Sequence, residues 1–136
     1  MATAGYSGTA LIKKLGIRPG MKIFLLNAPE NYFDLLQEDI TKQIITGKQI
    51  PSFIHLFAKD SVAFKKGMEK ILQYAVANTA VIIWVSWYKK ASGIATDLTE
   101  DVIRNFALQH NLVDIKVCAA SEQWSGLKLV VPVAKR

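Results

Sequence analysis

The sequence predicts a single α/β domain of three layers, a mostly parallel sheet with helices on both faces that ends in an antiparallel hairpin. Three observations carry this expectation. Short runs of consecutive apolar residues recur at 23–26, 53–58 and 81–85, as strands buried on both faces require. Two of these runs lead through a polar cap into residues of helical period, the grammar of βα units. After Asn111, two strand-like segments follow one another across a short polar loop, which leaves room for a hairpin but not for a crossover helix.

Along the chain, Ser7 is placed to cap a short helix whose apolar positions Leu11, Ile12 and Leu15 share a face. Gly16 followed by Ile17 is its stop signal, a left-handed residue with an apolar contact after it. Residues 18–20 turn the chain into the first strand, 23–26. A turn at Asn27, Ala28 and Pro29 then leads to a helix over 30–37 with acid near its positive end. Ile40, Ile44 and Ile45 fit either an extension of that helix or a short strand before Gly47, and the strand is favoured. After the strand at 53–58, Asp60 or Ser61 caps a helix in which Phe64, Met68, Ile71, Leu72 and Ala75 repeat at three and four. The strand at 81–85 is followed by a polar loop. Asp97 and Glu100 then form a capping box with Asp97 as the cap, opening a helix with Val102, Ile103, Phe106 and Ala107 on one face. The last two strands span 114–120 and 127–133, with residues 121–126 as their loop, and Pro132 suits a strand end or an edge. A terminal hairpin of this kind is how class I methyltransferase-like sheets end, so the expected fold is small and Rossmann-like.

The chain has 136 residues, one domain's length and enough to bury a core, yet short for a complete doubly wound enzyme. Residues 1–136 therefore read as one domain. A hydrophobic content of 51% against 21% charged residues excludes a long disordered tail. The net charge of +6 is dispersed, and only Arg18, Arg104 and Arg136 are arginines, which argues against a nucleic-acid groove built on bidentate phosphate contacts. The N-terminus lacks the basic start and apolar stretch of a signal peptide, and no apolar run approaches the roughly 18 residues of a membrane span. Cys118 is the only cysteine, expected in a buried strand, and a reducing cytoplasm suits it.

Ligands of open parallel sheets bind outside the carboxyl ends of the strands. Here those loops are residues 27–32, 59–61, 86–93 and 122–124, where polar and aromatic residues gather. The first turn has no glycine. Pro29 removes an amide donor, Glu30 repels a pyrophosphate, and Thr46, Gly47 and Lys48 stand where an acid would hold a ribose. An ordinary dinucleotide or S-adenosylmethionine site is therefore disfavoured, and no cofactor is called for. His55, mid-strand among apolar neighbours, reads as a hydrogen-bonded core residue, and His110 as a cation at a helix C-terminus. No His/Cys spacing suits a metal. Asp97, Glu100 and Asp101 read as helix-start acids. Lys89, Lys90, Ser92 and Gly93 form either a solvated loop or an anion nest, with Ser92 and Gly93 offering amides. Trp124 either covers the sheet end or forms a stacking wall. The candidate ligand-binding residues are thus Tyr6, Asn27, Tyr32, Trp87, Lys89, Lys90, Ser92 and Trp124.

Several stretches carry a family resemblance: GYSGTALIKKLGIRPG at 5–20, LNAPENY at 26–32, WVSWYKKASG at 84–93, TDLTE at 96–100, VDIKVC at 113–118 and WSGLKL at 124–129. Together they resemble an uncharacterised bacterial family of small methyltransferase-like proteins, a domain of unknown function. The family more often has proline where Ala10 and Tyr88 stand. The resemblance implies a fold and no known activity, so no catalytic residue follows from it. The reading favoured by the residues is a non-catalytic binding or regulatory domain, using the sheet edge, residues 5–8 and residues 89–93 to hold an anionic small molecule or a protein partner. The alternative is an enzyme with an unfamiliar site at Asn27, Tyr32, Lys89 or Lys90, S-adenosylmethionine-dependent in its most specific form. A weak nucleic-acid binder using dispersed lysines is a third. The exposed strand of the terminal hairpin leaves a homodimer open.

Overall fold

The three apolar runs become β1 (Ile23–Leu26), β2 (Phe53–Phe57) and β3 (Ile82–Tyr88), which lie side by side in parallel with Leu25 beside His55 and His55 beside Trp84. The computed structural model describes residues 10–46 and 48–136. Two further strands, β4 (Val113–Ala119) and β5 (Trp124–Val130), form the antiparallel hairpin. β5 inserts between β3 and β4, so the sheet runs β1-β2-β3-β5-β4.

Side chains alternate across a strand, and both faces of this sheet are covered. Ile54, Leu56, Ile83, Val85, Leu127 and Leu129 meet Phe64, Met68 and Ile71 of α3 (Ser61–Ala77) and Ile103 of α4 (Glu100–Gln109). On the opposite face Ile23, Phe53, Phe57, Trp84 and Trp124 meet Leu15 of α1 (Leu11–Leu15) and Tyr32 and Leu36 of α2 (Tyr32–Leu36). Each fully buried Phe or Leu contributes about 1.5–3 kcal/mol relative to exposure. The result is a three-layer, Rossmann-like α/β fold. Trp84 pins α1 to the sheet by donating Nε1–H to the Leu15 carbonyl at 2.8 Å. Gly126 makes room for that indole: a Cβ there would stand 3.2 Å from Trp84 Cε3.

Most expected elements form, with corrections that have local causes. Ser7 and Tyr6 lie outside the described residues, and α1 begins after Ala10, which is its N-cap residue. Gly16 ends α1 in the left-handed region, φ 81°. α2 is shorter than 30–37 at both ends: it begins after Asn31, its N-cap residue, and Gln37 turns left-handed, φ 59°, and closes it. The expected strand before Gly47 shrinks to one parallel bridge between Ile44 and Ile23, with Ile45 N–H donating to Ile23 O. Asp39 is the reason: its carboxylate accepts from Thr41 N–H and hydroxyl, which winds Thr41–Gln43 into a 3-10 turn and leaves Ile40 buried. Those bonds, the hydroxyl's first, hold the Asp39 carboxyl below the usual carboxylate range.

β3 runs three residues past the expected end, and β5 starts at Trp124 rather than 127. The two extend one ladder, with Ser86 paired to Gly126 and Tyr88 to Trp124. Only residues 120–123 remain as the loop, tightened by Ser121 Oγ, which accepts from Gln123 and Trp124 N–H. The cap of α4 is Thr99, whose Oγ1 accepts from Val102 N–H, not Asp97. Asp97 instead serves α3, accepting Ser61 N–H at 2.8 Å beside Asp60, which accepts Ala63 N–H at 2.8 Å. A β-bulge lies between Asp114 and Lys116. It reverses the alternation there, so Asp114 turns to Arg104 of α4 while Lys116 joins Lys128 on the α1 side. Arg104 also pairs with Glu100 and with Asp101, which accounts for the acids at the start of α4.

Two capping bonds on different helices are thereby separable. Asp97→Ala and Thr99→Ala are each expected to lower stability by about 1 kcal/mol in urea titrations. Hydrogen exchange should show the loss of Asp97 at residues 61–63, thirty-odd positions from the substitution, and the loss of Thr99 only at the start of α4.

Candidate functional site

From β1 the chain moves outward to the Ile44 bridge, then crosses back to form β2 on the other side of β1. The reversal opens a crevice at the carboxyl ends of β1 and β2, the place where open α/β sheets hold ligands. A cleft of about 470 Å³ lies there. Asn27 and Pro29 border it after β1, Phe57 at the end of β2 with Lys59 and Ala63 beyond it, and Tyr88 at the end of β3 closes it with Gln123 and Trp124 of the hairpin.

Each border has a local cause. Asn27 is left-handed, φ 58°, a conformation that asparagine tolerates better than other side chains. The first turn thus bends as a glycine would bend it, without glycine. Tyr88 and Trp124 are ladder partners, and their rings stack at 4.2 Å and 25°. Trp124 meets Phe57 edge-on at 5.0 Å. The exposed Lys59 supplies a cation at the rim, while Asn27 and Gln123 supply amides.

Beneath this aromatic wall runs a buried polar chain. Tyr32 Oη lies 2.8 Å from His55 Nδ1, and His55 Nε2 lies 2.8 Å from Ser86 Oγ. His55 stacks on Phe57 at 4.2 Å. Burial pushes the His55 pKa down to about 3 and, with a smaller contribution from Cys118 nearby, pushes the Tyr32 hydroxyl well above its ordinary value. The imidazole is therefore neutral, one ring nitrogen donating and the other accepting. The chain is a satisfied core network, as expected for His55.

Of the expected ligand-facing residues, Asn27 and Trp124 meet in this cleft. Tyr32 does not line it: its ring is 2% exposed and packed on Phe57. Trp87 and Lys90 border a second cleft of about 510 Å³, between the end of β3 and the start of α4, separated from the first by Tyr88. Lys89 and Ser92 line neither. The anion nest does not form, because Ser92 N–H donates to Lys89 O and Gly93 N–H to Lys90 O within a 3-10 turn. Tyr6 lies outside the described residues. Cys118 is half-buried, on a face shared with Gly126, and burial raises its thiol pKa despite Lys14, Lys116 and Lys89 nearby. Sequence reasoning passed over Phe57, Lys59, Tyr88 and Gln123. All but Phe57 fall in the segments expected as strand-end loops, Tyr88 proving to end β3, and their convergence depends on strand order. Among the described residues no group of three His, Cys, Asp or Glu is placed to hold a metal, and no helix is long and apolar enough to cross a membrane.

The fold and cleft define a Rossmann-like domain with an aromatic-walled crevice at the switch point. Two solved structures share this fold. A protein of the NADB-Rossmann superfamily from Streptococcus agalactiae matches with a TM-score of 0.50 at 7% identity, over 90% of this chain and 68% of that one. An uncharacterized protein from Listeria monocytogenes serotype 4b matches with a TM-score of 0.52 at 12% identity, over 93% and 69%. At these identities the likeness is one of fold alone. No protein-family model and no curated protein matches the chain.

The depressed His55 pKa fixes the sign of a pH effect. The unfolded imidazole takes up a proton below about pH 6.5 and the folded one does not, so stability is lost as pH falls from there towards 3. The loss should approach about 1.4 kcal/mol per pH unit in urea titrations, and His55→Gln should remove that slope. At the cleft rim, Asn27→Gly is expected to leave stability within a few tenths of a kcal/mol, whereas Asn27→Ala costs about 1 kcal/mol.

Proposed function

We propose that this chain is a non-catalytic binding or regulatory domain that holds a small planar anion, of the aromatic carboxylate kind, in the cleft between Asn27, Lys59 and Trp124. The observation that carries the reading is the pairing of a stacked aromatic wall, Tyr88 on Trp124, with one rim lysine and two side-chain amides. Aromatic rings favour a flat ligand, the amides orient it, and Lys59 meets its charge. Among the described residues, none bordering the cleft is a carboxylate, histidine or cysteine suited to move a proton.

A dinucleotide fits this end of the sheet poorly. The first turn, after β1, has no glycine and carries Pro29 and Glu30 where a pyrophosphate would lie, and the amino terminus of the neighbouring α3 is already bonded by the carboxylates of Asp60 and Asp97. The resemblance to small methyltransferase-like bacterial proteins of unknown function supports the same view, a retained scaffold in a reducing cytoplasm. A second reading, S-adenosylmethionine-dependent catalysis, draws on one observation: Asn27 gives the first turn its glycine-like bend.

Thermal shift and calorimetry separate the two. Millimolar benzoate or indole-3-acetate should raise the melting temperature and quench tryptophan fluorescence, and Lys59→Ala should abolish the shift. Micromolar binding of S-adenosylmethionine, or no response to any aromatic acid, would overturn the proposal.

A further inference from the structure

The β4 edge of the sheet carries a second, independent feature. Among the described residues β4 is the last strand of the sheet, paired only to β5. Its side chains divide sharply between the two faces. Ile115 and Val117 are 55% and 52% exposed. On the α1 side Lys116 stands directly across from Lys128, a like-charge pair that costs stability. Arg18 lies close enough to act on Lys128, and Lys89 and Lys14 close enough, with Lys116, to act on Cys118. The ion pairs among the described residues belong to Arg104, so Arg18, Lys89, Lys116 and Lys128 face no carboxylate of this chain at salt-bridge distance. Burial, with the neighbouring cations adding to it, lowers the Lys128 pKa. Charges that are dispersed in sequence are gathered by the fold.

The backbone of this edge is available as well. Ala120 N–H donates to Trp124 O, and ladder bonds alternate, so Lys116 and Cys118 bond towards β5 while Val117 and Ala119 present their N–H and C=O outward. The bulge between Asp114 and Lys116 bounds the regular stretch to residues 116–119.

We propose that the open edge of β4 accepts a short acidic segment of a partner protein as an added strand. Its carboxylates would lie beside Lys116 and Lys128, and its alternate apolar side chains beside Val117. Charge complementarity selects this occupant. A second copy pairing through the same edge brings two lysine-bearing faces together. A nucleic acid finds one arginine and, among the described residues, no aromatic ring in the set of exposed large apolar side chains on which to stack a base.

The test is a titration of isotope-labelled protein with a capped peptide of about eight alternating glutamate and valine residues. The amides of Val117 and Ala119 should shift and gain exchange protection, and a lysine–valine peptide should do neither. Lys116→Gln and Lys128→Gln should each weaken binding by about tenfold. Lys116 also donates to the Lys14 carbonyl, so Lys128→Gln serves if the first variant loosens α1. The proposal fails if the peptide leaves those amides unmoved, if an oligothymidine binds equally well, or if the protein alone forms a dimer that protects the same amides.

Discussion

The hydrogen-bonded chain from Tyr32 through His55 to Ser86 governs one whole face of this protein. An imidazole at the centre of β2, with β1 on one side and β3 on the other, can be buried only if both nitrogens find partners. That requirement places α2 where Tyr32 reaches down to the sheet. It places a serine at position 86 of β3 and leaves little room opposite it, where Gly126 of β5 sits 3.5 Å from Ser86 Oγ by its would-be Cβ. Phe57 stacks on the same imidazole and supports Trp124. The wall of the candidate cleft is thus held from below by a polar core.

On the other face the organising contacts run between loops rather than through the core. Asp97 leaves its own helix to cap α3, and Thr96 Oγ1 donates to the Lys59 carbonyl. These bonds fasten the segment after β3 over the β2–α3 turn and satisfy amides that a helix start otherwise offers to an anion. The Rossmann-like scaffold thus keeps its topology while the amino terminus of α3 is capped by carboxylates of its own chain. What stays open beside it is aromatic and amide-lined, suited to holding a flat group. The β4 edge differs again, being basic on one face, apolar on the other and, among the described residues, unpaired along its outer backbone.

Much of the fold is legible in the residues themselves. The runs at 23–26, 53–58 and 81–85 announce buried strands because no polar side chain interrupts them except His55, and its isolation among apolar neighbours marks a satisfied core group. Gly16 and the period of Phe64, Met68 and Ile71 fix a helix stop and a helix face through local geometry alone. The site is less legible. Asn27 and Trp124 stand out by type and position, yet Tyr32 looks equally available in the sequence and is buried because a histidine 23 residues away needs its hydroxyl.

The sequence by itself determined which segments become strands and helices, since period and capping chemistry act over a few residues. Tertiary structure decided the rest, because those outcomes depend on which strands become neighbours. Pairing with β5 lengthened β3 and drew Trp124 out of the loop and onto Tyr88. One extra residue in β4 sent Asp114 to Arg104 and Lys116 to Lys128. Asp97 and Thr99 are both N-cap residues by type, and only the approach of α3 assigns one to each helix.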